Sequence, residues 1–173
     1  PNHESYLDPL VICAVLPWQQ VRRLYWAGWA GLLFRGPFTR LFSRVFQVLP
    51  VDPERGLTST LTLGRAVLER GDPLVWFPEG GRSTDGQLQP FLPGVGVPAV
   101  PAWIEGTFEA WPIGQRLPRP HPVSIRFGPP LTLADLEPDG DEGDRHRRIA
   151  ERLREKVVEL APGAPAKTAR PAA

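Results

Sequence analysis

An α/β fold with a mostly parallel central sheet flanked by helices is what this sequence predicts, and three observations predict it. Short apolar runs that read as buried strands alternate with amphipathic segments at helical spacing. One such run, Leu74-Val75-Trp76-Phe77, passes directly into the polar loop Pro78-Glu79-Gly80-Gly81-Arg82-Ser83. Open α/β sheets present their ligand-binding loops at such strand ends. The third observation is size: 173 residues suffice for one domain with a full core and without staples.

The elements follow in order. Asp8-Pro9 ahead of Leu10 to Leu16 reads as a capped, buried helix, with Asp at the N-cap and Pro in the first turn; the run is short enough for a strand to remain the alternative. Gly36-Pro37 opens a second helix, with Phe38, Leu41, Phe42, Val45 and Phe46 on one side and Arg40 and Arg44 on the other. Gln47 to Val51 is a short strand. Leu57 to Arg70 is an amphipathic helix stopped by Gly71. Leu74 to Phe77, Val97 to Glu105 and Val123 to Phe127 are further strands, the second weakened to an edge by its prolines. Arg145 to Leu160 is a charged helix with Ile149, Leu153, Val157 and Leu160 facing the core. No internal repeat is visible. From Pro162 a Pro/Ala-rich tail is expected to be disordered.

Composition excludes several classes. The single cysteine, Cys13, rules out an internal disulfide framework and a multi-cysteine zinc site. A net charge of +1 gives no sign of a general nucleic-acid binder. The uncharged stretch Leu24 to Phe34 has 11 residues; spanning a bilayer takes roughly 20. The charge is nevertheless uneven. From Pro9 to Val51 there are five arginines (Arg22, Arg23, Arg35, Arg40, Arg44) and no acid. Such asymmetry suggests a face that meets something anionic. With no methionine and a start inside a polar motif, the chain reads as a fragment or an excised domain.

Two polar sites carry chemistry. In His3-Glu4-Ser5-Tyr6-Leu7-Asp8 a carboxylate five positions after a histidine can fix the imidazole tautomer and leave the other nitrogen to take a proton. The blander alternative is Asp8 as a helix cap and His3 as a solvated loop residue. In the second site, strand-borne Glu79 is followed by paired glycines, which allow close backbone approach, and by Arg82, whose planar fork suits phosphate. Its alternative is a tight turn with a surface ion pair. His121 and His146 lack ligand-spaced neighbours and are read as incidental.

Together these sites resemble the glycerolipid acyltransferases that include lysophosphatidic acid acyltransferase. Asn2 to Asp8 is similar to the first block of that family, N-H-x-S-x-x-D; Phe77 to Ser83 to its F-P-E-G-T-R-S block; Val97 to Pro101 to its V-P-x-V-P block. The three stand in the family's order. The resemblance implies an acyltransferase domain over residues 1–161, with the family's first strand and any N-terminal helices absent. It implies transfer of a fatty acyl group from acyl-CoA or acyl carrier protein to the hydroxyl of a lysophospholipid of the 1-acylglycerol 3-phosphate type, in phospholipid biosynthesis. His3 would be the general base and Asp8 its orienting partner. Glu79 and Gly80 would bind the acceptor's glycerol part and Arg82 its phosphate. No metal or bound cofactor is implied, nor a covalent acyl-enzyme through Ser5 or Cys13. Glycerol 3-phosphate and lysophosphatidylethanolamine are alternative acceptors.

Three departures from the family's pattern stand out. Gly81 replaces the Thr of the third block. Pro53 stands where the second block often has a phosphate-contacting Arg, for which Arg55 would substitute. About two helical turns are missing between Phe91 and Val97, so the connection from Pro78 to Gly96 has little covering helix. Trp18, Trp26 and Trp29, with the five arginines, suit a membrane surface at the cytoplasmic face, reached peripherally or through segments outside this chain. Alternatively, Trp26 and Trp29 are core. The rival from another class is a non-catalytic lipid-binding module built on the same fold.

Overall fold

The computed structural model describes residues 1–51, 58–93, 98–136 and 144–163. Helix α1 (Asp8–Val15) is followed by the single turn α2 (Trp18–Val21) and by strand β1 (Tyr25–Trp29). A short helix α3 (Ala30–Leu33) and α4 (Pro37–Val45) lead to β2 (Val48–Val51), and α5 (Thr58–Glu69) leads to β3 (Leu74–Val75). Beyond the loop come β4 (Ala102–Glu105), α6 (Thr107–Ala110), β5 (Ser124–Phe127), α7 (Leu133–Leu136) and α8 (Arg145–Val158).

β1 is the middle of a parallel three-stranded sheet in the order β2-β1-β3, with Trp26 opposite both Val48 and Val75. β4 and β5 form a separate antiparallel pair, extended by a bridge between Ala99 and Leu131. The α/β class and parallel sheet are therefore as expected, while β5 runs antiparallel to its neighbour. The elements at Leu10–Leu16, Pro37–Phe46, Gln47–Val51, Leu57–Arg70 and Arg145–Leu160 appear within two or three residues of their expected limits. Two expected strands are shorter. The run Leu74–Phe77 pairs only at Leu74 and Val75, because Phe77 turns to meet the site; of the described residues in Val97–Glu105, Ala99 makes one bridge and the strand runs Ala102–Glu105. β1 itself lies in the Trp-rich segment that carried no strand assignment.

Pairing alternates side chains across β4 and places it between two cores. Ile104 packs with Ile12 of α1 and Leu24; Trp103 faces Phe91, Leu131, Leu136 and the α8 residues Ile149, Leu153 and Val157. The connection after β3 contains no helix among its described residues 78–93, yet it is not bare. Phe91 is buried against α8, and the Arg154 guanidinium of α8 donates to the carbonyls of Leu88 and Gln89 at 3.0 and 3.2 Å. The C-terminal helix thus covers a loop that holds no crossover helix among its described residues.

The α4 stripe is the main surprise. Its helix forms as the periodicity demands, but the apolar stripe faces outward: Phe38 is 86% exposed, and Leu41, Phe42, Val45 and Phe46 are at least half exposed. Ser43 is the buried residue, its hydroxyl donating to the Leu33 carbonyl at 2.8 Å. Of the tryptophans, Trp26 joins the α1 core, whereas Trp18 and Trp29 are exposed.

Candidate active site

The N-terminal loop is tied down before it reaches α1. The Asn2 side chain pairs with β4 as a neighbouring strand would: its amide donates to the Ile104 carbonyl and its oxygen accepts the Ile104 N–H, both at 2.7 Å. Leu7, not Asp8, occupies the N-cap of α1. Asp8 does not cap the helix because its carboxylate turns back along the loop. Oδ2 accepts the N–H groups of Glu4 (2.7 Å) and Ser5 (2.8 Å) and meets His3 Nδ1 at 2.8 Å. Asp8 is wholly buried, whereas the His3 side chain remains 18% exposed. A carboxylate on Nδ1 places the proton there and leaves the Nε2 lone pair able to take a proton. The alternative of a solvated His3 with a capping Asp8 is thereby set aside.

The loop after β3 comes to the same place. The Phe77 ring stacks on the His3 imidazole at 3.9 Å between centroids. Glu79 accepts the His3 N–H through Oε1 (2.6 Å) and the Gln89 N–H through Oε2 (2.8 Å). The Ser83 N–H donates to the His3 carbonyl at 2.8 Å. Gly80 has φ of 74°, a left-handed conformation that favours glycine, and a Cβ there would lie 2.6 Å from a Leu92 methyl. Gly81 is under no such constraint, since a Cβ there would meet nothing within 4 Å. The guanidinium of Arg82 lies 3.6 Å above the Tyr6 ring. Tyr6 therefore holds the cation in place without neutralising it.

Comparison with known proteins can now be set beside this geometry. The family model described as Acyltransferase matches residues 1–112. The chain belongs to that acyltransferase family. It is similar to the 1-acyl-sn-glycerol-3-phosphate acyltransferase of Limnanthes douglasii, 28% identical over 149 residues, covering 80% of this chain and 51% of the relative. The enzyme of the same description from Cocos nucifera is 27% identical over 147 residues, covering 79% of this chain and 46% of the relative. This chain spans about half the length of the curated relatives it matches. The fold is similar to the crystal structure of the 1-acyl-sn-glycerophosphate (LPA) acyltransferase PlsC from Thermotoga maritima, with a TM-score of 0.64 and 23% identity over 92% of this chain and 64% of that one.

Within this acyltransferase domain, the structure brings His3, Asp8, Glu79, Gly80 and Arg82 into one place at the end of β3. Arg55 and Pro53 lie outside the described residues, as do Val97 and residues 164–173 of the expected tail. The Ser5 hydroxyl is buried, donates to the Trp111 carbonyl (2.8 Å) and accepts the Leu7 N–H (3.2 Å), so it is a strut of the loop. Burial pushes the Cys13 thiol up, away from the thiolate. His146 is exposed at the start of α8, and His121 Nδ1 lies 2.9 Å from the carbonyl of the next residue, Pro122. Sequence reasoning assigned no role to Asn2, Tyr6, Phe77 or Gln89. The first three stand inside the two recognised blocks, which was the available signal; Gln89 acts through its main chain and left none.

Glu4 is an additional buried acid beside the pair. Burial pushes its carboxyl from 4.5 up to about 7, against the Asn2 hydrogen bond that lowers it and with Asp8, Glu109 and Glu79 adding repulsion. Between those two values the folded chain holds a proton that the unfolded chain releases. Stability therefore falls as pH rises through this window and stays low above it. At about 1.4 kcal/mol per pH unit the shift corresponds to roughly 3 kcal/mol. Glu4→Gln keeps an oxygen to accept the Asn2 amide bond of 2.9 Å. It is expected to raise the melting temperature at pH 8 and leave it unchanged at pH 4. Thermal unfolding at the two pH values checks this, and an equal shift at both would exclude the buried charge as the cause.

Proposed function

We propose that this chain carries the catalytic site of a 1-acylglycerol 3-phosphate type acyltransferase in phospholipid biosynthesis, with acyl-CoA or acyl carrier protein as donor. The observation that supports it best is the His3–Asp8 pair, which engages Nδ1 of a partly exposed imidazole and leaves Nε2 available, while Arg82 stands in the adjoining loop. In this reading His3 Nε2 takes the proton of the acceptor hydroxyl as its oxygen attacks the thioester carbonyl. Asp8 stabilises the imidazolium that forms. The tetrahedral intermediate then collapses, breaking the carbon–sulfur bond, and His3 returns the proton to the departing thiolate. Arg82 binds the acceptor's phosphate, and the side-chain-free backbone at Gly80 meets its glycerol part. Ester formation by this route needs no metal and no bound cofactor.

The setting we propose is the cytoplasmic surface of a membrane, where both thioester donors are soluble and the acceptor is embedded. The exposed Phe38, Leu41, Phe42 and Val45 of α4 support it, with Arg22, Arg35 and Arg44 exposed in a segment free of acids. No helix among the described residues is long and apolar enough to cross a membrane. The test is transfer of a labelled acyl chain from acyl-CoA and from acyl carrier protein to 1-acylglycerol 3-phosphate, glycerol 3-phosphate and lysophosphatidylethanolamine. It is run on vesicles with and without anionic lipid. The expected result is transfer to 1-acylglycerol 3-phosphate, faster on anionic vesicles. A folded, vesicle-bound chain that transfers nothing would instead support the non-catalytic lipid-binding module.

A further inference from the structure

We propose that Glu79 is a positioning residue that fixes the main chain of His3, and is not a contact to the acceptor. The proposal rests on the acyltransferase reading for its kinetic test only. Each Glu79 oxygen already accepts a main-chain N–H, that of His3 at 2.6 Å and that of Gln89 at 2.8 Å. A carboxylate accepting two N–H bonds in a half-buried place is a strong, directional clamp. The same loop grips His3 at two further points. Ser83 N–H holds its carbonyl at 2.8 Å, and Phe77 lies flat against its ring. With Asp8 on Nδ1, the N–H, the C=O, the ring face and one ring nitrogen are all engaged, and Nε2 alone is left for chemistry.

The clamp has a firm far end. Gln89 sits in the loop that Arg154 of α8 ties down through the Leu88 and Gln89 carbonyls. The Leu92 N–H closes the loop's base on the Pro78 carbonyl at 2.7 Å. The line from α8 through Gln89 and Glu79 to His3 therefore sets the imidazole against the rigid body of the domain. This explains a Glu where a Gln would serve for hydrogen bonding to a ligand. Two N–H donors arrive on two sides, and Gln offers one acceptor and one further donor, so one of the two bonds would be lost. Of the charged side chains in this loop, Glu79 and Asp85 already accept hydrogen bonds from the loop itself, and the Arg82 guanidinium is left to meet the acceptor.

The experiment measures kcat and the acceptor KM of the full chain on anionic vesicles, with 1-acylglycerol 3-phosphate and acyl-CoA, for the parent, Glu79→Gln, Glu79→Asp and Arg82→Ala. Hydrogen exchange of the His3 amide is followed by NMR alongside. A misplaced base costs about a hundredfold in rate, so Glu79→Gln is expected to lower kcat by about that factor with KM nearly unchanged. Glu79→Asp, one methylene too short to span both amides, should behave alike. Arg82→Ala should raise KM instead. The His3 amide should be protected in the parent and exchange at least about tenfold faster in both Glu79 variants, as expected when a native hydrogen bond is lost. A raised acceptor KM with kcat kept in Glu79→Gln overturns the proposal, as does an unprotected His3 amide in the parent, which needs no variant to fold. If the parent transfers no acyl group, the acyltransferase reading fails, and the amide exchange alone decides the clamp.

Discussion

His3→Ala is expected to lower kcat for acyl transfer by roughly a thousandfold, within the range that a positioned general base contributes, while the fold survives. The asymmetry follows from how His3 is held. Its main chain carries the structural bonds, to Glu79 and from Ser83, and an alanine keeps both. Its side chain makes one polar contact, to Asp8, and one stack, on Phe77. Losing a stacked ring pair costs about 1 kcal/mol and losing the bond to the buried Asp8 carboxylate about 1.5–3 kcal/mol, while the Glu4 and Ser5 N–H groups still hold that carboxylate. The variant should therefore melt earlier than the parent yet stay folded under assay conditions, bind vesicles normally and show an acceptor KM within about twofold of the parent, since uniform binding is untouched. Matched assays of transfer, vesicle binding and thermal unfolding check all three. Transfer that persists at the parent's rate would remove the general-base role from His3.

Much of this arrangement was legible in the sequence, and what was not has physical causes. α4 and α8 could be read because hydrophobic spacing of 3.6 residues is a local signal. The same spacing could not say which way a stripe faces. α8 buries Ile149, Leu153 and Val157, whereas α4 exposes Phe38 and Leu41. β1 escaped because Tyr25-Trp26-Ala27-Gly28-Trp29 has no alternation, and a glycine sits within it. A Cβ on Gly28 would lie 2.5 and 2.7 Å from Leu33 and Val48 side chains, so close packing of α3 and β2 selects it there. β5 itself was read from its alternation, but its antiparallel direction was invisible because strand direction is set by which partner a strand finds, not by its own residues. The chemistry was more legible than the scaffold. His3 and Asp8 are five residues apart and must be near each other. Bringing Glu79 to His3 takes the whole β1–β3 sheet, and only the motif blocks pointed to it.

Asp8→Asn and Asp8→Ala should part company, and the difference separates catalytic from structural work at one residue. Oδ2 of Asp8 takes all three bonds, from His3, Glu4 and Ser5, and Oδ1 has no hydrogen-bond partner among the described residues. Asparagine can present its oxygen to the three donors and its amide to the Oδ1 side. The loop should keep its shape, with stability within about 1 kcal/mol of the parent, the size of one ordinary hydrogen bond. The negative charge is nevertheless gone, and with it the stabilisation of an imidazolium at His3. The expected loss in kcat is on the order of 10³-fold, no larger than removal of the base itself, which contributes about 10²–10⁴. Alanine strands the Glu4 and Ser5 N–H groups in a buried place, at about 1–3 kcal/mol each, so Asp8→Ala should both unfold earlier and lose transfer. Denaturant unfolding and kcat, measured on both variants, decide it. If Asp8→Asn kept full activity, Asp8 would be a strut for the loop and its charge irrelevant to the reaction. If Asp8→Ala kept full stability, the three bonds on Oδ2 would not be what shapes the loop before α1.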